Sequence, residues 1–195
     1  VTEVLVCLGT SCASQHGRQL LCDLEELCAA HEEVVCAPRS CMGRCGHGPN
    51  VQVWPASAAQ PSLVSGVRNY DDLERCASAC AQGLRPSRLQ RDIARLKFRA
   101  RRAASAEERK GLLAEAFAKV QAPASPAEEL QRRRLVGELL VLRAGEALAV
   151  GAGGAAALAD AKQAAELLPK WPRAHIAVAD ALQAEGDTAA AAAGL

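Results

Sequence analysis

The alternation of apolar and polar residues along the first 83 positions predicts strands and helices in turn. Three short runs rich in β-branched side chains are expected to be strands, at residues 3–8, 33–37 and 51–54. Residues 16–30 and 71–82 place apolar side chains at helical spacing, and Gly83 is typical of a helix end. The order strand, helix, strand, loop, strand, helix predicts an α/β domain over residues 1–83.

Helix-start signatures dominate the next part of the chain. They are Ser87-x-x-Gln90, Ser105-x-x-Glu108 and Ser125-Pro126-x-Glu128, in which a serine side chain can accept a hydrogen bond from the amide three residues on. We therefore expect a basic helical linker or helical pair over residues 84–125 and further helices over residues 126–195. The second half of the chain is predicted to be all-α.

A period of about 34 residues, the tetratricopeptide length, fits residues 138–195. With Pro169 as the proline that ends a repeat, small and apolar residues fall at the expected sites, namely Gly145, Leu148, Ala157 and Ala164, then Ala179, Leu182, Gly186 and Ala191. Val141 and His175 stand where a bulky aromatic is usual. The segment resembles tetratricopeptide repeats, which implies a helical-repeat domain with a groove for a client protein or peptide.

Four of the nine cysteines form two closely spaced pairs, Cys7-x4-Cys12 and Cys41-x3-Cys45. The second pair lies in a glycine-rich loop, CMGRCGHGP at residues 41–49, whose glycines permit tight turns close to a bound group. A [2Fe–2S] cluster needs four thiolates, two per iron, that converge from short loops. The two pairs therefore indicate an iron–sulfur site.

At these residues the chain resembles the thioredoxin-like [2Fe–2S] ferredoxins, which include free bacterial ferredoxins and the small ferredoxin subunit of respiratory complex I. The matching features are Val6-Cys7-x4-Cys12, the loop at residues 41–49 and the strand after it, within residues 1–83. The resemblance implies a thioredoxin-like fold and a [2Fe–2S] cluster held by Cys7, Cys12, Cys41 and Cys45. It also implies electron transfer to a redox partner protein.

Other chemistries compete for the same four cysteines. Structural zinc is also held by four thiolates, although zinc sites usually have tighter spacing than these pairs. A thioredoxin-type dithiol enzyme is disfavoured because the chain contains no Cys-x-x-Cys. His47 lies between Cys45 and Pro49 and is either an exposed loop residue or a modulator of the cluster.

The five remaining cysteines, Cys22, Cys28, Cys36, Cys76 and Cys80, are interpreted as core residues, because free cysteine is among the most buried residue types. An odd total of nine disfavours a disulfide framework.

Charge is distributed unevenly, with a net of −4 over residues 1–83 and +5 over residues 84–195. Ten of the basic residues fall in one stretch, Arg85, Arg88, Arg91, Arg95, Lys97, Arg99, Arg101, Arg102, Arg109 and Lys110. A solvated helix face is the plainest interpretation, and docking against the acidic first half of the chain or against an acidic redox partner is the alternative. Nucleic acid is disfavoured because no aromatic residues alternate with these cations.

Together these patterns predict an electron-transfer module with a helical domain that docks partners. A scaffold or assembly factor with a structural or redox-sensing cluster is the alternative. A soluble acyltransferase with a ferredoxin domain is a third, suggested only by analogy. His175-x4-Asp180 resembles the His/Asp pair of such enzymes, but residues five apart on a helix point in different directions, so the match is interpreted as accidental. No apolar run reaches the roughly 20 residues of a membrane span, so we expect a soluble protein of the cytoplasm or an organelle stroma, a plastid included.

Overall fold

The computed structural model describes residues 1–29, 31, 33–80, 86–121, 126–151 and 154–186. Those residues form four strands, β1 (Thr2–Cys7), β2 (Val34–Arg39), β3 (Asn50–Trp54) and β4 (Ser62–Ser65). They also form eight helices, α1 (Thr10–Ser14), α2 (Gly17–Cys28), α3 (Tyr70–Cys80), α4 (Arg88–Ala100), α5 (Ala106–Val120), α6 (Pro126–Ala149), α7 (Gly154–Leu167) and α8 (Pro172–Ala184). The protein is a mixed α+β fold in which helices predominate.

The three predicted strands and the predicted helices at 16–30 and 71–82 are present as β1, β2, β3, α2 and α3. Two further elements are present, α1, which contains Cys12, and β4, which follows β3. The chain divides into two compact units, Val1–Arg102 and Ala103–Leu195. The predicted domain boundaries after residues 83 and 125 lie outside the described residues, and α4 belongs to the first unit.

The sheet of the first unit has the strand order β2-β1-β3-β4. β1 runs parallel to β2, and β3 is antiparallel to both β1 and β4. The register pairs Val4 with Val53 and Val6 with Val51, so four fully buried valines share one face of the sheet. Leucines of α2 and α3 pack on these valines, which makes this face the core of the unit.

The basic helix α4 pairs with acidic residues of the same unit. Its capping box forms as predicted, since Ser87 Oγ accepts from the Gln90 amide at 3.2 Å and the Gln90 side chain returns the bond to the Ser87 amide at 2.8 Å. Lys97 Nζ lies 2.8 Å from Glu26, and Arg101 and Arg102 bind Asp23. The expectation of a solvated face is wrong for these three cations, which are largely buried against α2. The alternative, docking against acidic residues of the first half of the chain, is confirmed for them.

Alanines make up much of the core of the second unit, beside buried leucines such as Leu139 and Leu140. α6 packs against α5, α7 and α8, and the buried residues between α6, α7 and α8 include Ala144, Ala157, Ala161 and Ala181. Small side chains let the helix axes approach closely, so the short alanine side chains still fill the interior. The Ser105 cap is present, with Oγ accepting from the Glu108 amide at 3.1 Å, while Ser125 lies outside the described residues.

No helix in the part of the chain that the structure describes is both long enough and apolar enough to cross a bilayer.

Candidate metal centre

The four cysteines of the two pairs are delivered by different elements of the first unit. Cys7 is the last residue of β1, and Cys12 lies in the short helix α1, which begins three residues after Cys7. Both of these side chains are buried. Cys41 and Cys45 lie in the loop between β2 and β3, and both are exposed.

The sulfur atoms of these residues form a connected group. The thiols of Cys12 and Cys41 both lie close enough to Cys7 to lower its pKa, and the sulfurs of Cys41 and Cys45 are 3.5 Å apart. The fold therefore brings the two sequence pairs together, although they are separated by almost thirty residues of chain. The described residues contain no group of three or more His, Cys, Asp or Glu side chains placed so that they could hold a metal ion.

Two glycines make room for this group because a side chain at either would collide with it. A Cβ atom at Gly48 would lie 2.7 Å from Cys12 Sγ, and one at Gly9 would lie 2.9 Å from Cys41 Cβ. Backbone thus lies directly against two of the cysteines. The predicted tight turns of the loop are also present, at Gly43 and Gly46, whose φ angles are +72° and +95°.

Electrostatic surroundings differ among the four thiols. Burial raises the pKa of Cys7, but hydrogen bonds from the amides of Gly9 and Met42 and from the neighbouring thiols outweigh it, so the pKa lies below its ordinary value. Burial and the Cys7 thiol raise the pKa of Cys12. The hydrogen bond with Cys41 raises the pKa of Cys45. Cys7 therefore has the strongest thiolate character for which a shift is resolved.

Asn50 is a residue of this site that the sequence analysis did not single out. It begins β3 directly after Pro49 and is fully buried. Its side-chain nitrogen lies 3.1 Å from the carbonyl oxygen of Arg44 and 3.6 Å from Cys12 Sγ. The sequence around Asn50 shows only a polar residue followed by the alternation Val-Gln-Val. This pattern is typical of the start of any strand, so it does not indicate a role in a metal site.

The other candidate residues lie away from this cysteine group or at its surface. His47 is exposed, in agreement with the plainer of its two interpretations. Of the five cysteines interpreted as core residues, Cys28, Cys76 and Cys80 are buried, while Cys22 and Cys36 are half-buried. On α8, the His175 ring hydrogen-bonds the carbonyl of Pro169 at 2.8 Å, and Asp180 is exposed.

Comparison of the chain with known protein families found no matching family model, and neither the curated proteins nor the solved structures gave a match.

Proposed function

We propose that the first unit is a thioredoxin-like [2Fe–2S] electron-transfer module whose cluster is held by Cys7, Cys12, Cys41 and Cys45. The single observation that carries this proposal is the meeting of the two cysteine pairs in one group of sulfurs. A dinuclear cluster requires thiolates in pairs, two per iron, rather than several side chains around one ion. The pairs Cys7–Cys12 and Cys41–Cys45 are suited to that requirement.

Further support comes from the surroundings of the sulfurs. A thioredoxin-like domain agrees with the mixed sheet of order β2-β1-β3-β4, in which one parallel crossover is followed by an antiparallel hairpin. Amides of Gly9 and Met42 donate to Cys7, and such bonds stabilise negative charge on sulfur. When bound, the cluster would accept and release one electron.

The exposure of one cysteine pair favours that side of the proposed cluster for the entry and exit of electrons. Cys41 and Cys45 are exposed, whereas Cys7 and Cys12 are buried behind them. A partner that docks on the loop at residues 41–49 would therefore approach the cluster from its Cys41–Cys45 side. The redox partner is proposed to bind there.

The second unit is proposed to be a tetratricopeptide-like domain that docks a client protein. Ala157 and Ala164 of the proposed repeat are fully buried, and α7 packs against both α6 and α8 as stacked repeats require. α6 and α8 also line a cavity of about 330 Å³, with Val141, Leu148 and Ile176 among its walls. Ala191 of the next repeat lies outside the described residues.

Anaerobic purification followed by iron, sulfide and zinc analysis tests the cluster. About two irons and about two sulfides per chain are expected, with visible absorbance that dithionite bleaches reversibly. Cys41→Ala should abolish the iron, and because Cys41 is exposed the variant should still fold. Cys22→Ala, at a half-buried cysteine outside the group, is the matched control and should keep the iron. Stoichiometric zinc without iron would contradict the proposal.

Reduction of an acceptor such as cytochrome c separates an electron carrier from a scaffold. A cluster that is present but cannot be cycled would favour the scaffold, in which the helical unit is the functional part.

A further inference from the structure

Asn50 makes contact with both halves of the candidate metal centre. Its side-chain amide reaches the Arg44 carbonyl, inside the loop that carries Cys41 and Cys45, and also Cys12 Sγ. Its backbone amide is a further hydrogen-bond donor to Cys12. With an exposed fraction of zero, Asn50 is shielded from solvent, so these contacts do not compete with bulk water.

The orientation of this side-chain amide follows from its partners. A carbonyl oxygen can only accept, so the atom that lies 3.1 Å from the Arg44 oxygen must be the nitrogen of the amide. The same NH2 group has a second hydrogen available for Cys12 Sγ. Oδ1 is buried and has no hydrogen-bond donor among the described residues. Burying an unpaired acceptor is unfavourable, so an asparagine here requires a compensating use of its NH2 group.

We propose that Asn50 is a positioning residue of the cluster site, which fixes the cysteine loop through the Arg44 carbonyl and stabilises negative charge on the Cys12 sulfur. This inference rests on the proposed function. Reduction adds one negative charge to the cluster, part of which resides on the ligand sulfurs. A donor to Cys12 favours the reduced form and therefore raises the reduction potential.

Two substitutions at this position separate the donor from the shape of the side chain. Asn50→Asp keeps the shape but places carboxylate oxygens against an acceptor and a sulfur, and Asn50→Val removes the polar group. Both variants should have lower reduction potentials than wild type, and Asn50→Asp should have the lowest. The matched control is Gln52→Val, two residues along β3, because Gln52 accepts from Arg39 at 2.6 Å instead; its potential should equal wild type.

Amide hydrogen exchange of residues 41–47 in the full chain gives a second readout that does not need a cluster. Loss of the bond to the Arg44 carbonyl should speed exchange of this loop about fivefold to tenfold in Asn50→Val, and Gln52→Val should leave it unchanged. Faster exchange with a lowered potential supports the proposal. If a variant loads no iron, the exchange rate alone decides.

Failure of this inference and failure of the proposed function give different results. Wild-type protein without iron and sulfide would refute the proposed function before Asn50 is considered. An Asn50 variant with wild-type iron and an unchanged or raised potential would overturn the role of Asn50 while leaving the cluster in place. Loop exchange at the wild-type rate in a variant without iron would also overturn it.

Discussion

The first unit packs branched aliphatic side chains and a group of buried charges. The second packs many alanines together with leucines, and the ion pairs of its described residues lie nearer the surface, apart from the pair of the buried Glu138. Val4, Leu20 and Leu24 are fully buried in the first unit. An ionic cluster joins α2 to the end of α4 and the two residues after it, and its members are Asp23, Glu26, Lys97, Arg101 and Arg102. In the second unit the fully buried residues include Ala144, Ala157 and Ala161. Arg143 there pairs with Asp160 while remaining about half exposed.

This difference determines which changes each unit tolerates. A buried charge is stable only with its partners, so the first unit should be most sensitive to removal of one charge. Closely packed alanines leave no space for added atoms, so the second unit should be most sensitive to enlargement. The two tryptophans report separately, because Trp54 lies in the first unit and Trp171 in the second. Trp171→Phe and Trp54→Phe backgrounds isolate each signal.

Removal of Asp23 should have the largest effect on stability. Asp23 is the carboxylate that Arg101 and Arg102 share, so Asp23→Ala removes a partner from two buried cations. The free energy of unfolding of the first unit should therefore fall by about 3–5 kcal/mol. Urea unfolding followed by Trp54 fluorescence measures it. A loss below about 1 kcal/mol, the range of an exposed pair, would show that the ionic cluster does not hold α4 on α2.

Enlargement of Ala161 should be the next most damaging change. Ala161 is fully buried in the alanine core, so Ala161→Leu should destabilise the second unit by about 1–3 kcal/mol, with Trp171 as the probe. Ala159→Leu is the control, because Ala159 is exposed on the same helix and leucine is a good helix former. Equal stability of the two variants would contradict close packing in this core.

Sequence periodicity was sufficient for the longer elements of the fold and insufficient for the short ones. β1, β2, β3, α2 and α3 follow from apolar spacing and from turn residues at their ends. β4 has only Leu63 and Val64 between two serines, too few residues to show alternation, and its pairing with β3 defines it. α1 has five residues and no side-chain cap, so it has no sequence signature of a helix start.

The candidate site was partly predictable for a similar reason. Cysteine spacing is a local signal, so Cys7, Cys12, Cys41 and Cys45 could be proposed from the sequence. Asn50 contacts Arg44 and Cys12, and the latter lies 38 residues away. The partners of Lys97, Arg101 and Arg102 are likewise distant, with separations of 75 to 79 residues for the two arginines. Such contacts depend on the tertiary fold, so the basic stretch was indistinguishable from a solvated face.

Acid should weaken the ionic cluster of the first unit. Burial opposes ionisation of Glu26, but Arg101 and Lys97 lower its pKa to about 2 from an ordinary value of 4.5. The unfolded chain therefore binds a proton more readily than the folded one, so this stabilisation is complete above pH 4.5 and is lost as the pH falls towards about 2. Urea unfolding at several pH values, read from Trp54, should show the decline, and Glu26→Gln should flatten it. An unchanged pH slope in Glu26→Gln would contradict the assignment.

The smallest loss of stability is expected when Asp160 is removed. Its pair with Arg143 and the pairs of Asp23 join the same residue types but differ in burial, so the two removals test the effect of burial directly. Arg143 Nε and Nη2 donate to the two carboxylate oxygens of Asp160 at 2.6 and 2.7 Å. Since Arg143 is about half exposed and also stacks on the Phe117 ring at 4.4 Å, water and the ring can replace the lost partner. Asp160→Ala should therefore cost about 0.2–1 kcal/mol by Trp171 fluorescence, and less in high salt. A loss as large as that of Asp23→Ala would mean that burial is not what separates the two units.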